Sequence, residues 1–396
     1  MKVTGVIVEY NPMHNGHLKH IELCKKFAGS EAIVAVLSGN FVQRGMPALL
    51  DKWTRAKIAI NNGIDLVIEL PAVYSLSSAE FFGSGAVGLL NSLGIIDNLC
   101  FGSEFAEIDK MLSIAEVLIN EPQEYKSILK MQLDLGNNFS SARNIALNEF
   151  FKHDISGFMQ NSNNILGIEY CKALLKLKSS IMPVAVKRIG SDYNQDNLSR
   201  FSSATSIRKY LKSEDGIEEL KNHVPLDVFN ILKQGKSEKT IADAQDMIPF
   251  IKYKFYTNQN SLKNLPDVTE GIEKRIFSSI EKYFEYEELI SNIKTKRYAY
   301  SRISRILCQF YAGFDSYNTD ILRKSPPAYA RILGFNNKGA ALLRKASKTS
   351  SIPLITKVKK GRFKSLDLDI QVTNSYSLLT NRVKYNQDFY NGPVIL

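Results

Sequence analysis

The stretch VTGVIVEYNPMHNGHLKH, residues 3–20, decides the fold. Val3–Tyr10 is a β-branched run typical of a buried strand, and the helical pattern of His17–Phe27 follows it after a short polar turn. Two more helical patterns, Trp53–Asn61 and Ala79–Ser92, alternate with further apolar runs. These runs predict strands at Ala32–Leu37, Asp65–Leu70 and Ile96–Gly102. Repeated βα units of this length predict an α/β fold with a doubly wound parallel sheet.

The rest of the chain is predominantly helical in pattern. We interpret residues 105–180 as a helical insertion, because a fifth strand candidate, Pro183–Ile189, and a helix beginning near Ser206 follow it. From about residue 215 the pattern is almost entirely helical, and the shorter apolar alternation of Ile352–Ile370 predicts additional strands. This organisation predicts an α/β domain over residues 1–214 and a mainly helical domain over residues 215–396.

Composition places the chain among globular proteins of a reducing compartment. It is 44% hydrophobic and 23% charged, and no apolar run approaches the roughly 18 residues of a membrane-spanning helix. The N-terminal apolar stretch is too short for the core of a signal peptide. Four widely spaced cysteines form neither a CxxC pair nor a recognisable Cys/His cluster: Cys24, Cys100, Cys171 and Cys308. We therefore expect a cytoplasmic protein with buried thiols, no structural zinc and no membrane partner.

Positive charge is concentrated in the last quarter of the chain. Of the net charge of +11, residues 291–396 carry 19 Lys+Arg against 5 Asp+Glu, or +14, which leaves 32 against 35, or −3, for residues 1–290. Aromatics alternate with arginines over Arg297–Arg305, and five cations fall within residues 357–364. Cations neutralise phosphates and aromatics stack on unpaired bases, so this pattern favours an RNA-binding C-terminal domain. A solvated helical face, or a general solubility role for the charge, is the alternative.

The pattern His14-x-Gly16-His17 directly follows the first predicted strand. In open parallel sheets ligands bind beyond the carboxyl ends of the strands, and a helix that begins at this point offers free amides to an anion. Gly16 admits a phosphate close to the backbone, and the two imidazoles donate hydrogen bonds as charge develops during attack on phosphorus. The motif therefore predicts nucleotidyl transfer, with His14 and His17 as catalytic residues. A metal cluster of His14, His17 and His20 is the alternative, but it lacks carboxylate or thiolate partners.

A second motif, residues 202–208, reads SSATSIR and follows the fifth predicted strand. Its hydroxyls and the arginine one turn into the helix are suited to the outer phosphates of a nucleoside triphosphate. As an isolated string it is equally explained as an ordinary helix cap. The binding residues that it predicts are Ser203, Thr205, Ser206 and Arg208.

Together the two motifs resemble those of the nucleotidyltransferases and class I aminoacyl-tRNA synthetases. Longer strings are similar to those of the bacterial tRNA(Met) cytidine acetate ligase family. They are SGNFVQRG at 38–45, DKWTR at 51–55, FGSE at 101–104, NNILGIEY at 163–170, RILGFN at 331–336 and SSIP at 350–353. The resemblance implies that acetate attacks the α-phosphate of ATP to give acetyl-adenylate, and that the acetyl group passes to N4 of the wobble cytidine of elongator tRNA(Met). It also implies Mg²⁺, held mainly by the triphosphate, and the tRNA anticodon region as partner.

The resemblance carries a set of ATP contacts onto this sequence. Met13 stands where the family more usually has Phe, a change that we expect to leave the packing of the loop intact. The implied contacts are Ile7, Val8, Glu9, Tyr10, Asn11, Pro12, Met13, His14, Asn15, Gly16, His17, Leu18, Lys19, His20, Gly102, Asn163, Arg188 and Ile189. From the residues alone, Gly102 is also explained as a turn glycine, Asn163 as a helix N-cap and Arg188 as a surface arginine.

The acetate pocket is predicted only as a group of polar candidates between residues 38 and 55: Asn40, Gln43, Arg44, Lys52 and Arg55. No protein partner is implied. Two other functions stay open at this point. The first is an adenylyltransferase for a small phosphorylated metabolite, which leaves the C-terminal part of the chain and its positive charge unexplained. The second is a non-catalytic RNA-binding protein with a vestigial nucleotide fold.

Overall fold

The computed structural model describes residues 1–188, 204–213 and 216–396, and its centre is one large mixed sheet. The strands are β1 (Val3–Val8), β2 (Ala32–Ser38), β3 (Phe41–Val42), β4 (Met46–Pro47), β5 (Leu66–Leu70), β6 (Asn98–Ser103), β7 (Met182–Lys187), β8 (Ala330–Phe335), β9 (Leu354–Ile355) and β10 (Val394–Ile395). In the described chain, eight of them form the sheet in the order β10-β8-β5-β2-β1-β6-β7, with β9 beside β8. The strands β3 and β4 form a separate antiparallel hairpin.

The sheet is parallel except where β8 joins it. The strand β1 pairs with β2 along its whole length, from Val3 opposite Ala32 to Val8 opposite Leu37, and β6 pairs with β7 in the same sense. The strand β8 runs antiparallel to β5. Every residue of β2 and β5 is buried, as expected for strands that helices cover on both faces.

Helices account for most of the remaining chain. They are α1 (Asn15–Phe27), α2 (Lys52–Asn61), α3 (Ala72–Ser75), α4 (Ala79–Ser92), α5 (Ile108–Asn120), α6 (Gln123–Asp134), α7 (Phe139–Phe151), α8 (Ser156–Gln160), α9 (Ser162–Lys176), α10 (Ala204–Lys212), α11 (Gly216–Glu219), α12 (Leu226–Ser237), α13 (Ile248–Asn258), α14 (Ile272–Ile280), α15 (Tyr286–Ile293), α16 (Tyr300–Ala312), α17 (Thr319–Lys324), α18 (Asn337–Thr349) and α19 (Lys364–Tyr376). Short 3₁₀ helices lie at Leu220–Asn222, Ala244–Met247, Gln259–Asn264, Phe314–Ser316 and Gln387–Phe389. Across the described ranges, no helix combines the length and the apolar character that crossing a bilayer requires.

The predicted α/β architecture is confirmed. The five predicted strands coincide with β1, β2, β5, β6 and β7, and the predicted helical insertion is α5–α9, between the paired strands β6 and β7. The prediction of strands across Ile352–Ile370 is wrong for most of that range. Only β9 is a strand, and Leu366 and Ile370, one turn apart on α19, pack in a small apolar cluster with Tyr329.

The sheet draws strands from both predicted domains. Because β8, β9 and β10 come from residues beyond 214, a boundary at 214 would cut a continuous sheet, and that boundary stays a prediction. A buried ionic network reinforces this junction. Lys52 Nζ lies 2.8 Å from Glu69 and 2.9 Å from Asp388, and Arg331 lies 3.1 Å and 2.7 Å from the same two carboxylates. These four side chains are almost fully buried, so the C-terminal segment is bound into the core of the α/β fold.

Candidate active site

The turn between β1 and α1 places two histidines side by side. His14 is the N-cap of α1, and its Nδ1 accepts the backbone N–H of Gly16 at 3.1 Å. His17, three residues later, accepts the backbone N–H of His14 on its own Nδ1, also at 3.1 Å. This reciprocal pair is a capping box built from imidazoles, and it brings the two rings into a stack with centroids 3.7 Å apart.

The capping bonds decide which ring nitrogen carries the proton. Since Nδ1 of each imidazole accepts a backbone N–H, a neutral ring holds its proton on Nε2. Burial, together with the charges of Arg188 and Arg208, lowers the pKa of His14 to about 3. Burial also lowers the pKa of His17 well below its usual value, with smaller effects from His14, Arg188 and His20. Both rings are therefore neutral Nε2–H donors at physiological pH.

Both histidines line a cleft of about 290 Å³ at the carboxyl ends of β1, β6 and β7. This is the position where open α/β sheets bind ligands. Most of the predicted site residues line the cleft. They are Ile7, Val8, Glu9, Tyr10, Asn11, His14, Gly16, His17, Lys19, His20, Gly102, Asn163, Arg188, Thr205 and Arg208.

Other predicted contacts lie behind the cleft wall. Pro12, Met13 and Ser206 are buried, and Leu18 packs against the hydrophobic core. The side chain of Asn15 donates to the carbonyl of Asn222 at 2.9 Å and so ties the start of α1 to the C-terminal half. These residues shape the loop rather than form the cleft surface. Ile189 and Ser203 lie outside the described residues.

Arg208 connects the second predicted motif to the first. Its guanidinium donates to the carbonyl of Asn11 at 2.8 Å and to the Thr205 hydroxyl at 3.0 Å. Burial lowers the pKa of Arg208 to about 10, so the side chain stays cationic at neutral pH. The structure thus places a positive charge from α10 at the histidine loop, although the two motifs are far apart in the sequence.

The opposite wall is formed by the ends of β6 and β7 and the start of α9. A Cβ added to Gly102 would lie 3.1 Å from Cγ of Arg188, so glycine at this position keeps the arginine close to the strand end. Asn163 is not a helix N-cap, because Asn161 has that position; instead its side chain donates to Glu104 at 2.6 Å. The neighbouring Asn164 is fully buried and accepts hydrogen bonds from the Ser103 hydroxyl and the Glu104 amide.

Comparison with known proteins identifies the family of this chain. The family model described as HIGH Nucleotidyl Transferase matches residues 1–390. The tRNA(Met) cytidine acetate ligase of Clostridium novyi is 50% identical over 399 residues, with both chains covered completely. That of Clostridium botulinum strain Langeland is 50% identical over 404 residues, covering all of this chain and 99% of the relative. This chain belongs to the tRNA(Met) cytidine acetate ligase family.

Solved structures of the same family share the whole fold. Thermotoga maritima TmcAL bound with alpha-thio ATP has a TM-score of 0.89 and 33% sequence identity, with 100% of both chains covered. The apo form of the same protein has a TM-score of 0.91 at the same identity and coverage. The cleft described here thus lies in a fold whose family member binds an ATP analogue.

Of the five predicted acetate candidates, the structure places two on the cleft wall and three in the interior. Lys52 is held in the buried ionic network, and Asn40 is buried, with its side-chain oxygen accepting the Lys52 amide. Arg55 is also fully buried and donates to the carbonyls of Glu9, Ser38, Gly39 and Leu50, so it fastens the ends of β1 and β2 instead of facing a substrate. Among the candidates, only Gln43 and Arg44 line the cleft.

Sequence reasoning missed the apolar part of the cleft. Five apolar or aromatic residues that line the cleft come from the β3–β4 hairpin, α4 and α9. No local sequence pattern predicted that they would line it. They are Val42, Met46, Phe82, Leu166 and Tyr170. The hairpin is held against the histidine loop by Glu9, whose carboxylate accepts the backbone N–H of Gln43 at 2.7 Å. Burial raises the pKa of Glu9, whereas the Gln43 amide and nearby arginines lower it.

The structure contradicts an RNA-facing role for Tyr298 and Arg305 of the predicted segment Arg297–Arg305, whereas Arg297 is exposed. Tyr298 is buried with its hydroxyl on the Glu270 carbonyl, Arg302 pairs with the Glu270 carboxylate at 2.9 Å, and Arg305 is buried. The reason is that α16 supports the hairpin: the Ser304 hydroxyl donates to the carbonyl of Gly45 at 2.8 Å. By contrast, all five cations of residues 357–364 are exposed, as an RNA-facing surface requires.

Proposed function

We propose that this chain is an ATP-dependent tRNA(Met) cytidine acetate ligase. Acetate attacks the α-phosphorus of ATP, the bond to the β-phosphate breaks, and acetyl-adenylate and pyrophosphate form. The N4 amine of the wobble cytidine of elongator tRNA(Met) then attacks the acetyl carbonyl, loses a proton and releases AMP. The observation that carries the proposal is the pair of neutral, stacked imidazoles that open α1 at the cleft. The names and full-length similarity of the relatives support the choice of substrates.

The histidine pair is suited to the α-phosphate. Each Nε2–H donates to a phosphate oxygen as negative charge builds on it during attack, and the N-terminus of α1 adds its dipole. Arg188 and Arg208 face the outer phosphates from two sides of the cleft. Gly102 and Asn163, on the β6–α9 wall, then contact the adenosine moiety of ATP.

The protein offers few oxygen ligands for a Mg²⁺ ion in the cleft. Among the described residues that line it, Glu9 is the one carboxylate, and Gln43 already donates to that carboxylate. This donor set agrees with Mg²⁺ held mainly by the triphosphate oxygens. When bound, Mg²⁺ neutralises charge on the departing pyrophosphate.

Acetate and tRNA are assigned to two different surfaces. Arg44 and Gln43, on the hairpin beside the apolar Met46 and Phe82, are suited to the carboxylate and the methyl group of acetate. The exposed cations of residues 357–364 are suited to the backbone of the tRNA anticodon region. These substrates place the reaction in the cytoplasm.

The test is incorporation of labelled acetate into RNA. The protein is incubated with ATP, Mg²⁺, labelled acetate and a tRNA(Met) transcript, and a transcript with uridine at the wobble position serves as control. Label on the first RNA alone is the expected result. Label that reaches RNA only from acetyl-CoA, without ATP, would overturn the proposal.

A further inference from the structure

Three metal-binding side chains meet behind the histidine loop. His20 and Cys24 lie one turn apart on α1, with His20 Nε2 3.5 Å from Cys24 Sγ. Cys100 projects toward them from the middle of β6, so that one donor atom from each residue lies within 4.8 Å of the other two. The sequence predicted no Cys/His cluster, because Cys24 and Cys100 are far apart along the chain and are brought together by the packing of α1 against β6.

The spacing agrees with tetrahedral zinc coordination. With Zn–S of about 2.3 Å and Zn–N of about 2.0 Å, tetrahedral angles put sulfur and nitrogen about 3.5 Å apart and two sulfurs about 3.8 Å apart. The nitrogen–sulfur distance in the structure already has this value. The upper limit of 4.8 Å on the other pairs leaves an adjustment of about 1 Å, which side-chain rotation supplies.

Charge and burial also favour a soft divalent ion. Cys24 and Cys100 are completely buried. Two thiolates neutralise a 2+ ion, so the bound site carries no net charge into the interior, and ion binding releases the two thiol protons. Two sulfurs and one imidazole nitrogen are donors that Zn²⁺ prefers and that Mg²⁺ avoids.

We propose that His20, Cys24 and Cys100 form a Zn²⁺ site. His20 lines the cleft, whereas neither cysteine does, so the site lies at the border between the cleft and the buried core. The ion joins α1, whose first turn carries His17, to β6, which continues into Gly102. It thus fixes the helix of the histidine pair to the strand that forms the adenosine wall.

The first experiment measures metal content. The full chain is expressed with zinc in the medium and purified without chelators, in a reductant that does not bind metal. Elemental mass spectrometry then gives the zinc content, for which we expect about one ion per chain and less than about 0.1 in Cys24→Ala, Cys100→Ala and His20→Ala. Cys171→Ala and Cys308→Ala are matched controls, since both cysteines are equally buried on other helices, and they keep the zinc.

A second measurement covers the case in which a cysteine variant does not fold. The wild-type chain is stripped of metal and titrated with Co²⁺, and binding through two thiolates gives a sulfur-to-cobalt charge-transfer band that zinc then removes. Absence of this band, or zinc content below about 0.1 in the wild type after equilibration with micromolar free zinc, would overturn the proposal. So would zinc retained by the Cys24→Ala and Cys100→Ala variants, or an intact mass two units low that shows a Cys24–Cys100 disulfide in the protein as isolated.

Discussion

Replacement of His17 by alanine separates the chemical role of the imidazole from its structural role. The ring has two roles: in the structure its Nδ1 accepts the amide of His14 and the ring lines the cleft, and in the proposed function its Nε2–H donates to the α-phosphate. Alanine removes both. Glutamine, the residue that commonly completes a capping box at this position, retains an acceptor for the amide and removes only the imidazole.

The two functions differ in the size of their effect. Loss of a helix cap costs about 1 kcal/mol of stability, which lowers the melting temperature of His17→Ala by a few degrees and that of His17→Gln by less. Loss of one preorganised donor to a transition-state oxyanion costs about 2.7–4 kcal/mol, or about 10²–10³ in rate. We therefore expect both variants to fold and both to lose at least about 100-fold in turnover.

Acetate-dependent exchange between ATP and pyrophosphate is the suitable assay, because it reports the first step without RNA. His153→Ala is the matched control, since His153 is exposed in the helical insertion and is not part of the cleft wall. It should exchange at the wild-type rate. If His17→Ala or His17→Gln exchanged within about threefold of wild type, the assignment of the Nε2–H to the α-phosphate would be refuted.

Three further predictions concern stability and RNA binding. The pKa of His14 is about 3 in the folded chain and near 6.5 in the unfolded chain, so between these pH values the unfolded chain binds more protons. The free energy of unfolding therefore falls as the pH drops below about 6.5, by up to about 1.4 kcal/mol per pH unit. Urea unfolding between pH 6.5 and 5 should show a flatter dependence for His14→Gln, and equal slopes would contradict the buried neutral ring. Lys52→Met leaves the buried Glu69 and Asp388 with one cation, so the free energy of unfolding in urea should fall by about 3–5 kcal/mol; a loss below about 1 kcal/mol would show that the network is dispensable. Replacing the cations of residues 357–364 by glutamine should weaken tRNA binding. The slope of the logarithm of the binding constant against that of the salt concentration should become shallower by about 0.7–0.9 per lost phosphate contact, while acetate-dependent exchange stays unchanged. Impaired exchange would show that these residues act in the first step and not in RNA binding alone.

The parts of the fold that could be predicted are those in which neighbours in sequence are neighbours in space. The strand β1, the turn and α1 form one continuous unit, so the periodicity and the spacing of His14, Gly16 and His17 describe their geometry directly. The helical insertion follows the same rule. The strand β8 does not, because nothing local in Ala330–Phe335 indicates that it runs antiparallel beside β5, which belongs to the first quarter of the chain.

The same limit explains the errors at the site. The sequence does not distinguish Arg55 from Arg44 as a ligand-binding residue. In the structure Arg55 donates to four backbone carbonyls in the interior, whereas Arg44 lines the cleft. The aromatic and basic pattern of Arg297–Arg305 resembles an RNA-binding surface, but Tyr298 donates to the Glu270 carbonyl and Arg302 pairs with the Glu270 carboxylate. Charge in a sequence shows what a residue can bind, whereas the competing partner inside the protein is visible only in three dimensions.

Acyl-adenylate formation in this cleft is tested most directly by following oxygen. Acetate labelled with ¹⁸O in its carboxylate is supplied with ATP and tRNA(Met), and the AMP released after acetylation is analysed by mass spectrometry. Because an acetate oxygen forms the bond to the α-phosphorus and stays there when the amine takes the acetyl group, each AMP should carry one ¹⁸O. Unlabelled AMP, or label found in inorganic phosphate with ADP as the nucleotide product, would contradict attack at the α-phosphate.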